Sequence, residues 1–284
     1  MRNVHFALRL GYDGTAFCGW QLQAPHPSVA QTLLDAAEPL FEGVPGITGA
    51  SRTDSGVHAR DQRVLLVGHA RVDAQKLMIA LNGRLPPSVR VYSCRVVEDG
   101  WRPKRGVFGK RYIYRIWCGG AAPPMLAKSC WVRPARDHLD IAKMNAAARY
   151  LIGEHDFESF RSTHCQAAHA RRAIWHVSIA RNSTHHDLPP TDEAGWLIEI
   201  DVRGNAFCHH QVRIIAGTLV DVGRGHFEPS KVAEILADRN RQSAGVTAPA
   251  QGLTLWRMYD VGDEKAAALP SGMSWPGSPW GRSP

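Results

Sequence analysis

The chain has 284 residues, 44 % of them hydrophobic and 21 % charged, which excludes a mostly disordered or fibrous polymer and suggests one large domain or two modest ones. Lys and Arg number 34 against 26 Asp and Glu, a formal charge of +8, and this favours a polyanionic partner without naming one. The longest apolar stretch, 212–222, is too short to span a bilayer and carries Arg213 and Asp221, so no membrane partner is expected.

Val4, Phe6, Leu8 and Leu10 alternate with polar or small residues and predict a half-buried strand, broken by the turn Gly11-Tyr12-Asp13-Gly14-Thr15. Ser28-Val29-Ala30-Gln31 has the capping-box form, and Val29, Leu33, Ala36 and Leu40 follow at helical spacing. Val64 to Val67 and Val89 to Val97 read as strands. Between them Asp73 is placed to cap a helix stopped by Gly83. The segment 98–109 holds glycines, a proline and basic residues and reads as a linker between halves.

The second half begins with a strand over Arg111 to Trp117 and a helix over His138 to Leu151. Ile174 to Ile179 and Trp196 to Val202 predict a hairpin across the polar loop 183–195. Phe207 to Val222 and Ser230 to Ala237 read as helices, and Leu253 to Met258 as a last strand. The pattern predicts an α+β fold: residues 1–100 form an N-terminal half, 101–261 a C-terminal half, and 262–284 a disordered tail.

Cysteines at 18, 94, 118, 130, 165 and 208 show no C-x-x-C spacing and read as reduced thiols. Met1-Arg2-Asn3 leads straight into the first strand with no apolar leader, which predicts a cytoplasmic protein. The fourteen histidines include no H-E-x-x-H, and the adjacent His209 and His210 would diverge on a helix, so no metal site is expected.

Three segments could carry chemistry. Asp54 lies in Gly49-Ala50-Ser51-Arg52-Thr53-Asp54-Ser55-Gly56, where small residues could present a carboxylate and Arg52 would favour its ionised form. An Asx-turn aspartate in a surface loop fits the same pattern. In Lys110-Arg111-Tyr112-Ile113-Tyr114 the two tyrosines share one face of a strand beside basic residues, as base stacking next to phosphate requires; half-buried sheet tyrosines are also common. Arg213 sits in the nearly all-apolar helix, so it needs a partner or an opening, unless it is structural with its head group in solvent.

Taken in order, these segments resemble the TruA family of tRNA pseudouridine synthases. The matching motifs are Gly11-Tyr12-Asp13-Gly14-Thr15-x-Phe17-x-Gly19-Trp20-Gln21, Arg52-Thr53-Asp54-Ser55-Gly56-Val57-His58-Ala59, Lys110-Arg111-Tyr112-x-Tyr114, Gly153-Glu154-His155-Asp156-Phe157, the Asn205 to Gly223 helix with Arg213, and Gln251-Gly252-Leu253. The likeness covers roughly 4–260. It implies a pseudouridine-synthase fold: a mixed, mostly antiparallel sheet flanked by helices, in two related α/β halves with a cleft between them. It further implies isomerisation of uridine to pseudouridine at positions 38, 39 or 40 of the tRNA anticodon arm, by a homodimer with no cofactor and no metal.

By the same resemblance Asp54 would be the catalytic aspartate, attacking the sugar or the uracil ring. Tyr112 would lie against the target uracil, Arg213 would pair with the Asp54 carboxylate, and Arg52 would fill the gap left by the flipped nucleotide. From their charge, Arg102, Lys104, Arg105, Lys110 and Arg111 are expected to contact the RNA backbone. One departure stands out: the family carries His-Ala-Arg where this chain reads Arg102-Pro103-Lys104, which keeps charge, loses the histidine and stiffens the chain. Two alternatives compete. A catalytically inactive tRNA-binding protein on this fold would not need intact Asp54, Tyr112 and Arg213. A small-molecule acid–base enzyme using Asp54 with His58 would leave the basic run 102–111 without a purpose.

Overall fold

The computed structural model describes residues 3–134, 136–183, 195–263 and 267. The chain divides into two compact units, Met1–Val107 with Thr254–Met258, and Phe108–Leu253 with Tyr259–Pro284. Both are mixed α/β with mostly antiparallel pairing. No helix among the described residues is long and apolar enough to cross a membrane.

In the first unit the strand order is β4 (Val89–Val97), β1 (Val4–Tyr12), β3 (His58–Gly68), β10 (Leu253–Asp260), with β2 (Gly46–Gly49) also paired to β3. The alternation of β1 has the expected consequence: Phe6, Leu8 and Leu10 are buried, and Arg9 is exposed. Helix α1 (Val29–Ala37) starts after Ser28, whose hydroxyl accepts from the Gln31 amide at 3.2 Å. Helix α2 (Ala74–Arg84) starts after Asp73, which accepts from Lys76 N–H at 2.9 Å. The helix passes through Gly83 rather than stopping there. It ends at Leu85, which precedes Pro86 and is extended, as a residue before proline prefers.

The last strand joins this unit. It pairs parallel with β3 only at Thr254–His58 and Leu255–Ala59. Beyond that pair, side chains replace the ladder: the Met258 amide donates to Asp61 Oδ2 and the Met258 carbonyl accepts from Arg63 Nη2, both at 2.9 Å. Asp61 is buried and also accepts from Arg9 Nε at 2.9 Å.

In the second unit the order is β5 (Val107–Gly119), β9 (Gly195–Gly204), β8 (Arg171–Asn182), β7 (Gly153–Asp156), with β6 (Trp131–Arg133) parallel to β5. The predicted hairpin is present as the antiparallel pair β8 and β9. Its connecting residues 184–194 lie outside the described set, as do 264–266 and 268–284, on which most of the tail expectation falls. Helices are α3 (Ile141–Ala148), α4 (Gln211–Gly223) and α5 (Lys231–Asp238).

Several boundaries differ from expectation: β3 is longer than 64–67, α3 is shorter than 138–151, and two more differ for reasons the local bonds show. The segment 98–109 is not all linker, because β5 already starts at Val107. Helix α4 begins at Gln211 rather than Phe207: His210 is left-handed at φ 64°, and the Gln211 side chain accepts from the Cys208 amide at 2.7 Å. Upstream, Asn205 Oδ1 accepts from the Ala173 and Ala206 amides at 3.0 and 2.6 Å, which holds the chain in a non-helical path. The strands β2, β6 and β7 are short and lack a readable alternation.

The clamp on Met258 gives a stability prediction. Asp61→Ala leaves a buried amide unpaired and removes charge-assisted bonds, while the Arg9 pairing counts for little because its side chain is 55 % exposed. We expect a loss of about 2–3 kcal/mol, read as a lower urea midpoint at unchanged slope.

Candidate active site

The loop that carries Asp54 joins β2 to β3, and its backbone is held residue by residue. Ala50 N–H donates to Arg63 O at 2.8 Å, continuing the β2–β3 ladder. One residue on, the fully buried Gln62 side chain takes over as a surrogate strand: its Oε1 accepts from Ser51 N at 3.2 Å and its Nε2 donates to Ser51 O at 2.6 Å. The buried Thr53 hydroxyl shares a 2.7 Å bond with Tyr12 Oη, and the Thr53 carbonyl accepts from Trp20 N at 3.1 Å. A turn then closes from Val57 N to Asp54 O at 3.1 Å, with Gly56 at φ 76°. Asp54 itself is half-buried, and Arg52 is exposed.

The opening segment supplies the floor beneath this loop. Gly19 has φ 92°, and a Cβ there would sit 2.4 Å from the Thr53 carbonyl oxygen and 3.1 Å from Asp54 C. A Cβ at Gly14 would come within 2.1 Å of Val57 O. Phe17 O accepts from Gly56 N at 3.1 Å. The glycines of the opening motif are therefore spent on close approach to the aspartate loop.

His58 is buried, and its Nδ1 accepts from the Gly14 amide at 3.1 Å. Asp13 Oδ1 lies 3.2 Å from the same nitrogen. One nitrogen cannot accept from Gly14 and donate to Asp13 at once. The fixed backbone N–H of Gly14 points at Nδ1, which therefore accepts from it. The ring thus braces the turn at 13–14.

In the second unit Tyr112 lies on β5, 7 % exposed, with its ring edge-on to Phe207 at 5.1 Å. Tyr114, two residues on and fully buried, donates its hydroxyl to Pro249 O at 2.8 Å. Burial pushes its pKa far up despite the nearby Arg213, so the group stays a donor. Arg213, on α4, donates from Nε to Ala248 O at 2.8 Å and accepts at its own carbonyl from Ala248 N at 3.2 Å.

The basic set divides. Arg102, Lys104 and Arg105 are exposed on the turn before β5, bounded by Gly100 and Gly106 at φ 90° and 82°. Lys110 is half-buried. Arg111 points to the sheet face opposite Tyr112 and grips Asp201 with Nε at 3.0 Å and Nη2 at 2.9 Å. Arg203 holds the same carboxylate at 2.7 Å. Burial would raise the Asp201 pKa, but the two guanidinium groups outweigh it and hold it below the usual carboxylate range. Arg111 is therefore ion-paired within the fold through Asp201.

Asp54 and Arg52 thus belong to the first unit, Tyr112 and Arg213 to the second. Sequence reasoning missed Gln62, Thr53 and Thr218, and it missed the segment 244–249 that meets Arg213. Gln62 stands among Arg60, Asp61 and Arg63, so no local pattern singles it out.

Comparison with known proteins completes the assignment. Residues 147–259 match the family model described as tRNA pseudouridine synthase. The chain is 37 % identical over 265 residues to "tRNA pseudouridine synthase A" of Myxococcus xanthus, covering 93 % of this chain and 95 % of that one. The protein of the same name from Blochmanniella pennsylvanica is 37 % identical, with 88 % and 90 % covered, and that from Geotalea daltonii 32 % identical, with 91 % and 100 % covered. A solved chain of a Cbf5-Nop10-Gar1 complex aligns with a TM-score of 0.32 and 10 % identity over 88 % of this chain and 48 % of that one, too slight a likeness to argue from. The protein is of the pseudouridine synthase class, an isomerase. Within that class the chain belongs to the tRNA pseudouridine synthase A family.

The glycine floor is testable. Gly19 and Gly43 both have positive φ, but a Cβ at Gly43 meets nothing within 4 Å. Each alanine variant should lose roughly 1–3 kcal/mol from backbone strain. Only Gly19→Ala should also lose turnover, because it displaces Thr53 and Asp54. Thermal melts run beside rate measurements check both expectations.

Proposed function

We propose that this protein isomerises uridine to pseudouridine at positions 38, 39 or 40 of the tRNA anticodon arm, with Asp54 as nucleophile. The reaction breaks the bond from the sugar carbon to N1, forms one to C5, moves the C5 proton away and returns one to N1. Atoms and electrons balance, so the reaction calls for no redox cofactor. The target base has to leave the stack before its far edge can reach the sugar carbon. Tyr112 offers an aromatic wall for it, Arg52 an exposed guanidinium for the space it vacates, and Arg213 a further substrate contact. Backbone contacts come from Arg102, Lys104, Arg105 and Lys110, while Arg111 serves the fold. The enzyme works as a cytoplasmic homodimer.

The observation that carries this reading is the aspartate loop. Asp54 is the ionisable side chain between Thr53 and Ser55, half-buried, on a backbone held before it by the buried bonds of Ser51 and Thr53 and after it by Gly56 N–H to Phe17 O. A nucleophile that must meet one carbon needs that degree of fixing. The position of the carboxylate within the motif Arg-Thr-Asp-Ser-Gly supports the same assignment.

Asp54→Asn should fold, bind tRNA nearly as the parent does and form no pseudouridine; substantial product from a sequence-verified variant would overturn the assignment. Tyr112 separates two roles. Stacking alone predicts that Tyr112→Phe keeps binding and Tyr112→Ala loses about 1–3 kcal/mol. A proton role predicts that Phe alone costs roughly 10²–10⁴ in rate. Neutralising Lys104 should weaken tRNA binding and flatten its dependence on log salt by about one unit, whereas Arg111→Met should lower stability and leave the slope in place.

A further inference from the structure

The segment 244–249 lies across α4 as a strap, and its contacts are unusually close. A Cβ at Gly217 would sit 1.9 Å from Val246 O, and one at Gly245 would sit 2.8 Å from the Thr218 amide nitrogen. Thr218 is 1 % exposed. Its hydroxyl donates to Ile214 O at 2.8 Å and accepts from Gly245 N at 3.0 Å, so it fastens the first end of the strap to the helix. The far end is fastened by Tyr114, whose hydroxyl donates to Pro249 O at 2.8 Å. A Cβ at Gly252 would meet the Tyr114 ring at 2.6 Å, so that glycine is what admits the ring. Between the two anchors, Ala248 exchanges two hydrogen bonds with Arg213: its carbonyl accepts from Nε at 2.8 Å and its amide donates to the Arg213 carbonyl at 3.2 Å.

From this we infer that Thr218 and Tyr114 are positioning residues, which hold the strap so that the Ala248 carbonyl fixes the plane of the Arg213 guanidinium. A guanidinium is planar, and a bond at Nε sets the direction of both terminal nitrogens. Without the strap the bond at Nε would go, and with it the restraint it places on the guanidinium plane. The catalytic consequence rests on the proposed role of Arg213 in substrate binding; the geometric one does not. Neither anchor touches substrate in this scheme, and both act through Arg213.

The test compares Thr218→Val, which keeps shape and loses both bonds, with Thr218→Ser, which keeps the hydroxyl. Tyr114→Phe removes the other anchor and serves if Thr218→Val does not fold. Two readouts are taken on full-length folded protein. The first is solvent exchange of the Arg213 Nε proton by ¹⁵N NMR. The second is kcat on unmodified tRNA alongside the tRNA Kd. We expect exchange to speed by about tenfold in Thr218→Val and Tyr114→Phe, as loss of one hydrogen bond allows. We expect kcat to fall by up to about 100-fold at unchanged Kd, with Thr218→Ser close to the parent in both readouts. Unchanged exchange, or faster exchange with normal kcat, overturns the positioning role; a lower melting temperature with normal kcat also overturns it. If the parent protein makes no pseudouridine, the proposed function fails, and the exchange data alone then decide whether the strap holds Arg213.

Discussion

The closeness of Gly19 to the Thr53 carbonyl is the constraint on which the aspartate loop depends. At 2.4 Å from a would-be Cβ, no other residue fits. With that approach in place, Trp20 N can bond Thr53 O, Tyr12 Oη can bond the Thr53 hydroxyl, and Phe17 O can receive Gly56 N. Each of these bonds fixes backbone on one side of Asp54 or the other. Gln62 holds Ser51 from within β3, where a side-chain amide does the work of an absent strand partner. Buried polar groups are costly unless paired, so this arrangement forms nearly whole or not at all. The carboxylate is therefore carried by a rigid loop rather than a flexible one, although it lies outside any helix or strand.

The strand β5 solves a second problem, that of keeping aromatic and basic side chains apart. Its period of two sends Tyr112 and Tyr114 to one face and Arg111 and Arg115 to the other. On the basic face each arginine meets a carboxylate of β9: Arg111 meets Asp201 and Arg115 meets Glu199 at 2.8 Å. Arg115 and Glu199 are directly opposite in the antiparallel pair, whereas Arg111, opposite Arg203, reaches diagonally to Asp201. Desolvation is offset locally, so the face stays ordered without drawing on any ligand. The aromatic face keeps a different economy: Tyr112 meets Phe207 edge-on, and Tyr114 spends its hydroxyl on a backbone carbonyl.

Much of this was legible from residue patterns. Alternation marked β1, the segments 89–97, 174–179 and 196–202 also read as strands, and the caps Ser28 and Asp73 marked helix starts that the structure repeats to the residue. The motif around Asp54 was legible as a chemical candidate, but its floor was not, because contact between residues 19 and 53 depends on the fold. The pairing of Arg111 with Asp201 was hidden for the same reason: strand register decides it, and register between segments 90 residues apart leaves no local trace. The late start of α4 failed on a subtler point. Phe207 and Cys208 look helical by composition, yet Asn205 and Gln211 satisfy backbone amides from their side chains and so release the chain from helix.

Arg213 illustrates how an apolar helix can carry a charge without breaking its packing. The pattern demanded either a partner or an opening for it. Part of the answer is a backbone carbonyl, at Ala248, which needs no second charge to be brought into the same place. A neutral carbonyl at Nε orients the guanidinium without adding a charge to the helix. The strap can supply that carbonyl only because α4 has Gly217 and Thr218 one turn further along, the first allowing contact and the second fastening it. The Gly-Thr pair that reads as ordinary helix in the sequence is thus explained by what it holds, and the arginine by the direction in which it is held.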